Sequence, residues 1–367
     1  VKVLQKTAIT TRQSFFVAMP ILVIMGHFFL VPVYLRCAGR DSWLGVVGGI
    51  LLSSVIIAAM GKLQERLYGK TLVEWAIQWF GPWFGRIVTL PLIFYFFVLS
   101  FITLYGFSVF IDSEFLTEHP RWAIAIPFGL AAIYMVHKGV EVIARVCEWI
   151  LIYNIVAGIM VSLSLIDKKD YSKLLPMLSH GLRPVIPVTI LVLAVFGELI
   201  AMLMVNVRKP EAKSFSHSKM YWILYVANLF IFPSSVTGPV AIFGPDQAKL
   251  LMFPMESMVR LINVGFIERF DIYGLTIMTV SALLRLAFLH YATSLAVTQW
   301  LSIKDYRWTN VILGVGLTAA SLLVFDNYVD LLEFLQKYYA YGIVFSALII
   351  LLWIGTSFPF SSKQESR

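Results

Sequence analysis

The sequence predicts an all-α integral membrane fold of ten transmembrane helices, set as two inverted repeats of five, with helices 1 and 6 broken near mid-depth. Three observations predict it. The 367 residues are 59% hydrophobic and 14% charged, with a mean hydropathy of +0.82, whereas an ordinary soluble domain has roughly 25% charged residues. Ten apolar segments follow one another, at residues 14–35, 43–63, 87–111, 122–137, 142–166, 186–207, 220–243, 272–301, 309–325 and 339–357. About 20 helical residues cross a hydrocarbon core roughly 30 Å thick. The third observation is that glycine, proline and polar residues interrupt the first and sixth segments at comparable depth.

Basic residues orient the chain, because short cytoplasmic loops carry an excess of Lys and Arg. With the N-terminus inside, seventeen of the 29 Lys and Arg fall on the cytoplasmic side, among them Lys2, Lys6, Arg12, Lys62, Arg66 and Arg208. Acidic clusters at Asp112, Glu114 and Glu118 and at Asp326, Asp330 and Glu333 fall outside. Both termini are then cytoplasmic. The whole of residues 1–367 reads as one polytopic domain, with repeats at 14–166 and 186–357. Five is odd, so the second repeat starts from the opposite face, as inverted repeats require. The first apolar stretch starts at Phe15 and ends at Pro32 and Arg36 without an A-x-A-like site, so it reads as a span and not as a cleavable signal.

In span 1, Pro20 and Pro32 flank the step Gly26-His27. Proline removes a backbone donor and crowds the preceding turn. Span 2 carries Gly45, Gly48 and Gly49, a small-residue face suited to close helix contact. The Trp-rich stretch from Tyr68 to Gly85 is amphipathic and suits the inner membrane interface. Its Gly69-Lys70-Thr71 is not a phosphate loop, because Gln64 stands where the leading glycine is needed. Span 5 opens with Glu141, Arg145 and Glu148 on one helical face, which reads as ion pairing. The charged and apolar segment after span 7 reads as a surface helix over the outer mouth. Cys37 and Cys147 fall toward opposite faces of the membrane, so neither a disulfide between them nor a metal cluster is expected.

Span 6, Ile186 to Val207, holds the residues most expensive to bury. Glu198 sits near its middle beside Gly197, and a carboxylate there costs on the order of 2.5–3.5 kcal/mol even on the mildest scale. Glycine at that point allows the helix to unwind, and interrupted helices at mid-depth build many transporter sites. Arg285 lies about as deep in span 8, which makes it the natural partner of Glu198. Three readings stand: the two residues neutralise each other, Arg285 snorkels to the interface, or Arg285 holds a ligand carboxylate by paired hydrogen bonds while Glu198 and freed carbonyls hold an amino group. Gly26, His27, Tyr105 and Thr293 complete the candidate ligand site, with His290 and Ser294 extending the polar face of span 8. No G-x-S-x-G, H-E-x-x-H or C-x-x-C occurs, so neither an enzyme nor a cofactor is expected. The formal charge of +8 is scattered over short loops, which argues against nucleic acid.

A series of short motifs in fixed order resembles a known family: GRDSW at Gly39, YGKTLVEW at Tyr68, HKGVEVIAR at His137, LLPMLSHGLRPV at Leu174, FGEL at Phe196, FPMESMVRLI at Phe253, GFIERFD at Gly265 and KDYR at Lys304. They resemble the B subunits of spore nutrient germinant receptors, proteins similar to amino acid permeases of the amino acid, polyamine and organocation superfamily. The resemblance implies a leucine-transporter-like fold in the spore inner membrane. It also implies a membrane-embedded A subunit and a lipoprotein C subunit as partners, and a small nutrient, commonly an amino acid, as ligand. Where that family has a G-x-G-like step in span 1, this chain has Met25-Gly26-His27, and where a lysine is usual it has Arg285. A proton-coupled amino acid permease and a structural partner without a ligand remain the alternatives.

Overall fold

Hydrocarbon offers the backbone no hydrogen bonds, so a chain this apolar satisfies its amides internally. The computed structural model describes residues 8–67, 69–208, 216–262 and 271–357, and every named element among them is helical. Short 3-10 turns at Gly39–Asp41, Ile166–Lys168 and Tyr171–Leu174 aside, these are in order α1 (Thr11–Val23), a π turn (Ile24–Phe29), α2 (Val31–Ala38), α3 (Ser42–Arg66), α4 (Leu72–Glu114), α5 (Trp122–Lys138) and α6 (Val140–Ser164). Then come α7 (Val185–Gly197), a 3-10 segment (Glu198–Met204), α8 (His217–Phe243), α9 (Pro245–Ala248), α10 (Pro254–Val259) and α11 (Asp271–Leu301). The described residues end on α12 (Tyr306–Leu323), α13 (Tyr328–Lys337), a further 3-10 segment (Tyr339–Gly342) and α14 (Ile343–Ser357). Among the described residues, eight helical stretches are long and apolar enough to cross a membrane, and nine if α12 and α13, bent by 107°, count as one broken span. Helix α5 is apolar but shorter than these.

Local sequence sets the helix starts. Thr10 accepts from the Gln13 amide at 3.1 Å while the Gln13 side chain accepts from the Thr10 amide at 3.0 Å, a reciprocal cap that satisfies two amides at once. Thr71 with Glu74 and Asn327 with Asp330 repeat it at α4 and α13. Within the Trp-rich stretch, α4 doubles back at Gly81 (φ 81°, ψ 168°), just before Pro82. Gly85 there lies against the backbone of Ala76 and Ile77. Trp79, Trp83 and Phe84 are exposed beside that corner, on the kind of surface an interfacial segment presents to lipid. Helix α6 is also exposed along Trp149, Ile152, Val156, Ile159 and Leu163, an apolar face of the sort that hydrocarbon covers.

The centre of the bundle is built on α11, which packs against α1, α4, α5, α6 and α12. Helix α3 packs against α7 and α8 through its glycines. A Cβ on Gly45 would sit 2.6 Å from Val188 Cβ, and one on Gly49 2.5 Å from Val192 Cβ. These glycines make the close helix contact that the small-residue face implied.

The two helix breaks take different forms. In span 1 the chain widens into the π turn from Ile24 to Phe29, with Pro32 just inside α2. In span 6 the sequence implied unwinding at Gly197, but the chain tightens into a 3-10 segment instead, and Gly197 keeps right-handed helical dihedrals (φ −62°, ψ −26°). The glycine is required for space: a Cβ there would lie 2.6 Å from Ser346 Oγ and 3.0 Å from Ser346 N on α14. The free thiols Cys37 and Cys147 are half-buried and buried. Residues 263–270, which include Glu268 and Arg269 of the predicted surface segment, lie outside the described residues, as does Tyr68.

Gly49→Leu is therefore expected to destabilise the fold by about 1–3 kcal/mol through overpacking, read as a lower apparent melting temperature in detergent. Gly158→Leu, at a site where a Cβ meets nothing within 4 Å, is expected to leave it unchanged.

Candidate functional site

Glu198 and Arg285 meet at the centre of the bundle, both with side chains 0% exposed. Arg285 Nη1 lies 2.5 Å from Glu198 Oε2, and Nη2 lies 2.9 Å from Oε1, a bidentate pairing. Arg285 also donates from Nε to Thr103 Oγ1 at 3.0 Å and from Nη1 to the Ile21 carbonyl. Tyr339 Oη donates to Glu198 Oε1 at 2.6 Å. Five elements thus converge on one ion pair: α1, α4, the 3-10 segment after α7, α11 and the 3-10 segment before α14. Charge-assisted bonds of this kind are about twice as strong as neutral ones, and the desolvation cost of the two ions demands them.

The hydroxyls of Tyr34 and Tyr95 are also buried here, and neither makes a hydrogen bond among the described residues. Both feel the charge of Glu198. Tyr95 stacks on Phe345 with ring centroids 3.8 Å apart. A guanidinium, a carboxylate and three phenol groups are thus gathered in the apolar core, groups of the kind that recognise carboxylates and ammonium ions.

None of the other predicted side chains bonds to the pair among the described residues. His27 sits on the π turn and, since a carbonyl can only accept, its Nδ1–H donates to Ile231 O of α8 at 2.9 Å. Gly26 packs against Phe232, whose ring carbons lie 2.5 Å from where a Cβ would be. Tyr105 accepts from Arg121 Nη1 at 3.1 Å, and Arg121 bonds the Asp326 carbonyl at 2.8 Å, one layer away from the pair. Thr293 bonds back to the Leu289 carbonyl within α11. His290 Nε2–H donates to the Asn310 carbonyl at 3.0 Å, tying α11 to α12. Sequence reasoning did not select Tyr34, Tyr95, Thr103 or Tyr339, which are scattered aromatic and hydroxyl residues in apolar helices with no spacing to single them out.

Both ends of the bundle are closed over the pair. At the amino-terminal end, Arg12 grips Glu148 of α6 at 2.8 Å, and Gln13 reaches its other oxygen at 3.2 Å. Ile9 pairs with the chain that leaves the broken span, through Ile9 N to Asn206 O at 3.1 Å and Arg208 N to Ile9 O at 2.8 Å. At the other end the ring of Phe28, one residue past His27, meets Phe110 at 5.1 Å and Phe253 at 5.6 Å, and Phe253 meets Tyr328 at 5.5 Å. No group of three or more His, Cys, Asp or Glu side chains suited to a metal occurs among the described residues.

A family model described as spore germination protein matches residues 8–329. The spore germination protein XB of Bacillus anthracis is 25% identical over 265 residues, which is 72% of this chain and 74% of that protein. YndE of Bacillus subtilis (strain 168), another spore germination protein, is 23% identical over 79% of this chain and 80% of its own length. The spore germination protein KB of the same strain is 22% identical over 89% and 87%.

Removing one partner from a buried pair leaves the other ion uncompensated, at a cost of about 3–5 kcal/mol. Arg285→Met is expected to lower the melting temperature of the purified chain sharply, and Glu198→Gln/Arg285→Met to recover part of the loss. A double variant no more stable than Arg285→Met would mean that the two charges do not depend on each other.

Proposed function

The chain belongs to the spore germination protein family, and from that premise we propose that it is the membrane subunit of a germinant receptor that senses a small zwitterionic nutrient, an amino acid. The observation that carries this reading is the Glu198–Arg285 pair, completely buried and bidentate. In this reading an amino acid places its carboxylate on Arg285 and its ammonium on Glu198, Tyr34 and Tyr95. Each ion then exchanges one opposite charge for another. That exchange answers the cost of separating buried ions, which a neutral ligand cannot do.

The same reading includes a route for signalling, which two contacts support. Glu198 begins the 3-10 segment that leads to Val207 and the Ile9 contact, while Arg285 holds the Ile21 carbonyl ahead of the π turn. A ligand that opens the pair acts on both helix breaks, and it shifts the population of closed and open forms by its preference for one of them. Partner subunits, a membrane A subunit and a lipoprotein C subunit, receive that shift in the spore inner membrane. Both termini are cytoplasmic in this scheme, within a ten-span leucine-transporter-like arrangement. A proton-coupled amino acid permease is the second reading. It is favoured by closure at each end through contacts that can break, Arg12–Glu148 at one and the Phe28–Phe253 stack at the other.

The test uses spores whose only nutrient receptor contains this chain, exposed to single amino acids, sugars and nucleosides while loss of refractility is followed. An amino acid response is expected. Glu198→Gln is expected to raise the half-effective concentration roughly ten- to a hundredfold, the worth of one charge-assisted hydrogen bond. An unchanged dose-response in Glu198→Gln would remove the pair from the site. No response to any nutrient, with the chain present in the membrane, would favour the permease or a ligand-silent partner.

A further inference from the structure

Residues 244–262, after α8, cover the bundle end that carries the aromatic stack. Tyr328 Oη donates to Met252 O at 2.9 Å, and Phe253 is 2% exposed between Phe28, Phe110 and Tyr328. Helix α10 is pinned by Arg260. Its Nη2 lies 2.8 Å from Glu114 Oε2 and 2.9 Å from the Glu114 carbonyl at the end of α4, and its guanidinium sits 5.7 Å over the Phe115 ring. Lys168 holds the Leu261 carbonyl just beyond.

Beneath Arg260, Glu256 is 2% exposed. Its Oε1 stands 3.7 Å from Arg260 Nε and makes no hydrogen bond among the described residues. Its Oε2 presses on α11, 2.9 Å from where a Cβ of Gly274 would sit. Among the described residues, the charged groups facing it are Arg260 on its own helix, Glu114 on α4 and Asp271 on α11. Helix α8 packs on α10 through Gly238 and Met258, and its residues 230–243 carry no titratable side chain. Glu114 and Glu256 therefore share one guanidinium, and Glu114 takes the short contact.

We propose that Glu256 is a proton-operated latch: protonated, it lets α10 dock over the bundle, and ionised, it sets a second negative charge on the guanidinium that Glu114 already holds and releases the lid. Burial raises its carboxyl from the ordinary 4.5 to about 7, against the lowering effect of Arg260 and with further raising by Glu114 and Asp271. A group whose value is raised in the docked form favours docking fully below its undocked value, and that contribution is lost as pH rises through the docked value. The lid is thus held below about pH 4.5, loosens up to about pH 7 and is level above that. In the proposed orientation this end faces away from the cytoplasm, so the latch reads the pH of the outer compartment. It requires no particular nutrient.

The test compares thiol modification at a buried and an exposed position of the lid, in nanodiscs and in a Cys37→Ser background. Met258→Cys replaces a residue 3% exposed and Leu250→Cys one 76% exposed. The ratio of their rates with a methanethiosulfonate reagent cancels thiol ionisation and reads the open fraction. The ratio is expected to rise on the order of a hundredfold between about pH 5 and about pH 8 in the parent, and to stay low and flat in Glu256→Gln. Glu256→Met, a second neutral replacement, guards against a folding defect in the first. A flat ratio in the parent, or the parent's rise in either folded variant, would overturn the latch.

Discussion

One buried ion pair sets the terms for everything around it. Two full charges with no exposed surface are tolerated in an apolar bundle only if their remaining donors and acceptors are satisfied. Thr103, Ile21 and Tyr339 do that for Arg285 and Glu198. Those three come from α4, α1 and the segment before α14, so the requirement draws distant parts of the chain to one point. The helix breaks follow from it. The 3-10 segment carries Glu198 past α14 through the gap that Gly197 leaves, and the π turn follows the helical turn whose carbonyl Arg285 takes.

Much of this was legible in the sequence because membrane burial makes charge conspicuous. Glu198 and Arg285 stand out in spans 6 and 8 by polarity alone, and their meeting follows from cost. The breaks were legible as well, since Pro20, Gly26, Pro32 and Gly197 mark them, but their geometry was not. Whether a helix widens or tightens depends on what packs against it, here Phe232 beside Gly26 and Ser346 beside Gly197. Tyr34, Tyr95 and Tyr339 were hidden by abundance, because a chain with 16 tyrosines and 28 phenylalanines gives no signal for the three that gather at a charge. Tyr105 was selected in place of Thr103 for the same reason: nearby helical residues point to different neighbours, and the sequence does not say which face of α4 meets α11.

The layers above and below the pair give the central site its isolation. Arg12 and Glu148 close one end with an exposed ion pair, and such pairs are worth about 0–1 kcal/mol. The other end is closed by ring packing among Phe28, Phe110, Phe253 and Tyr328, which is insensitive to salt and has the buried carboxylate of Glu256 next to it. The two closures differ in chemistry, so conditions that loosen one leave the other in place. A protein that must hold a nutrient between two closed ends, or pass a conformational signal to partners, needs that independence. Nutrient sensing, as proposed above, is the reading that uses all of these parts.

The central claim is that a nutrient opens the Glu198–Arg285 pair and takes its place. Electron cryo-microscopy of the chain in nanodiscs, bound to a rigid antibody fragment and imaged with and without the nutrient that triggers its spores, tests it directly. Without nutrient the account predicts an intact pair, with Arg285 Nη2 about 2.9 Å from Glu198 Oε1. With nutrient it predicts the ligand carboxylate on Arg285, the ligand ammonium on Glu198, and the two side chains too far apart to bond each other. Nutrient bound elsewhere with the pair intact would contradict it, and would leave Glu198 and Arg285 as a structural element of the membrane core.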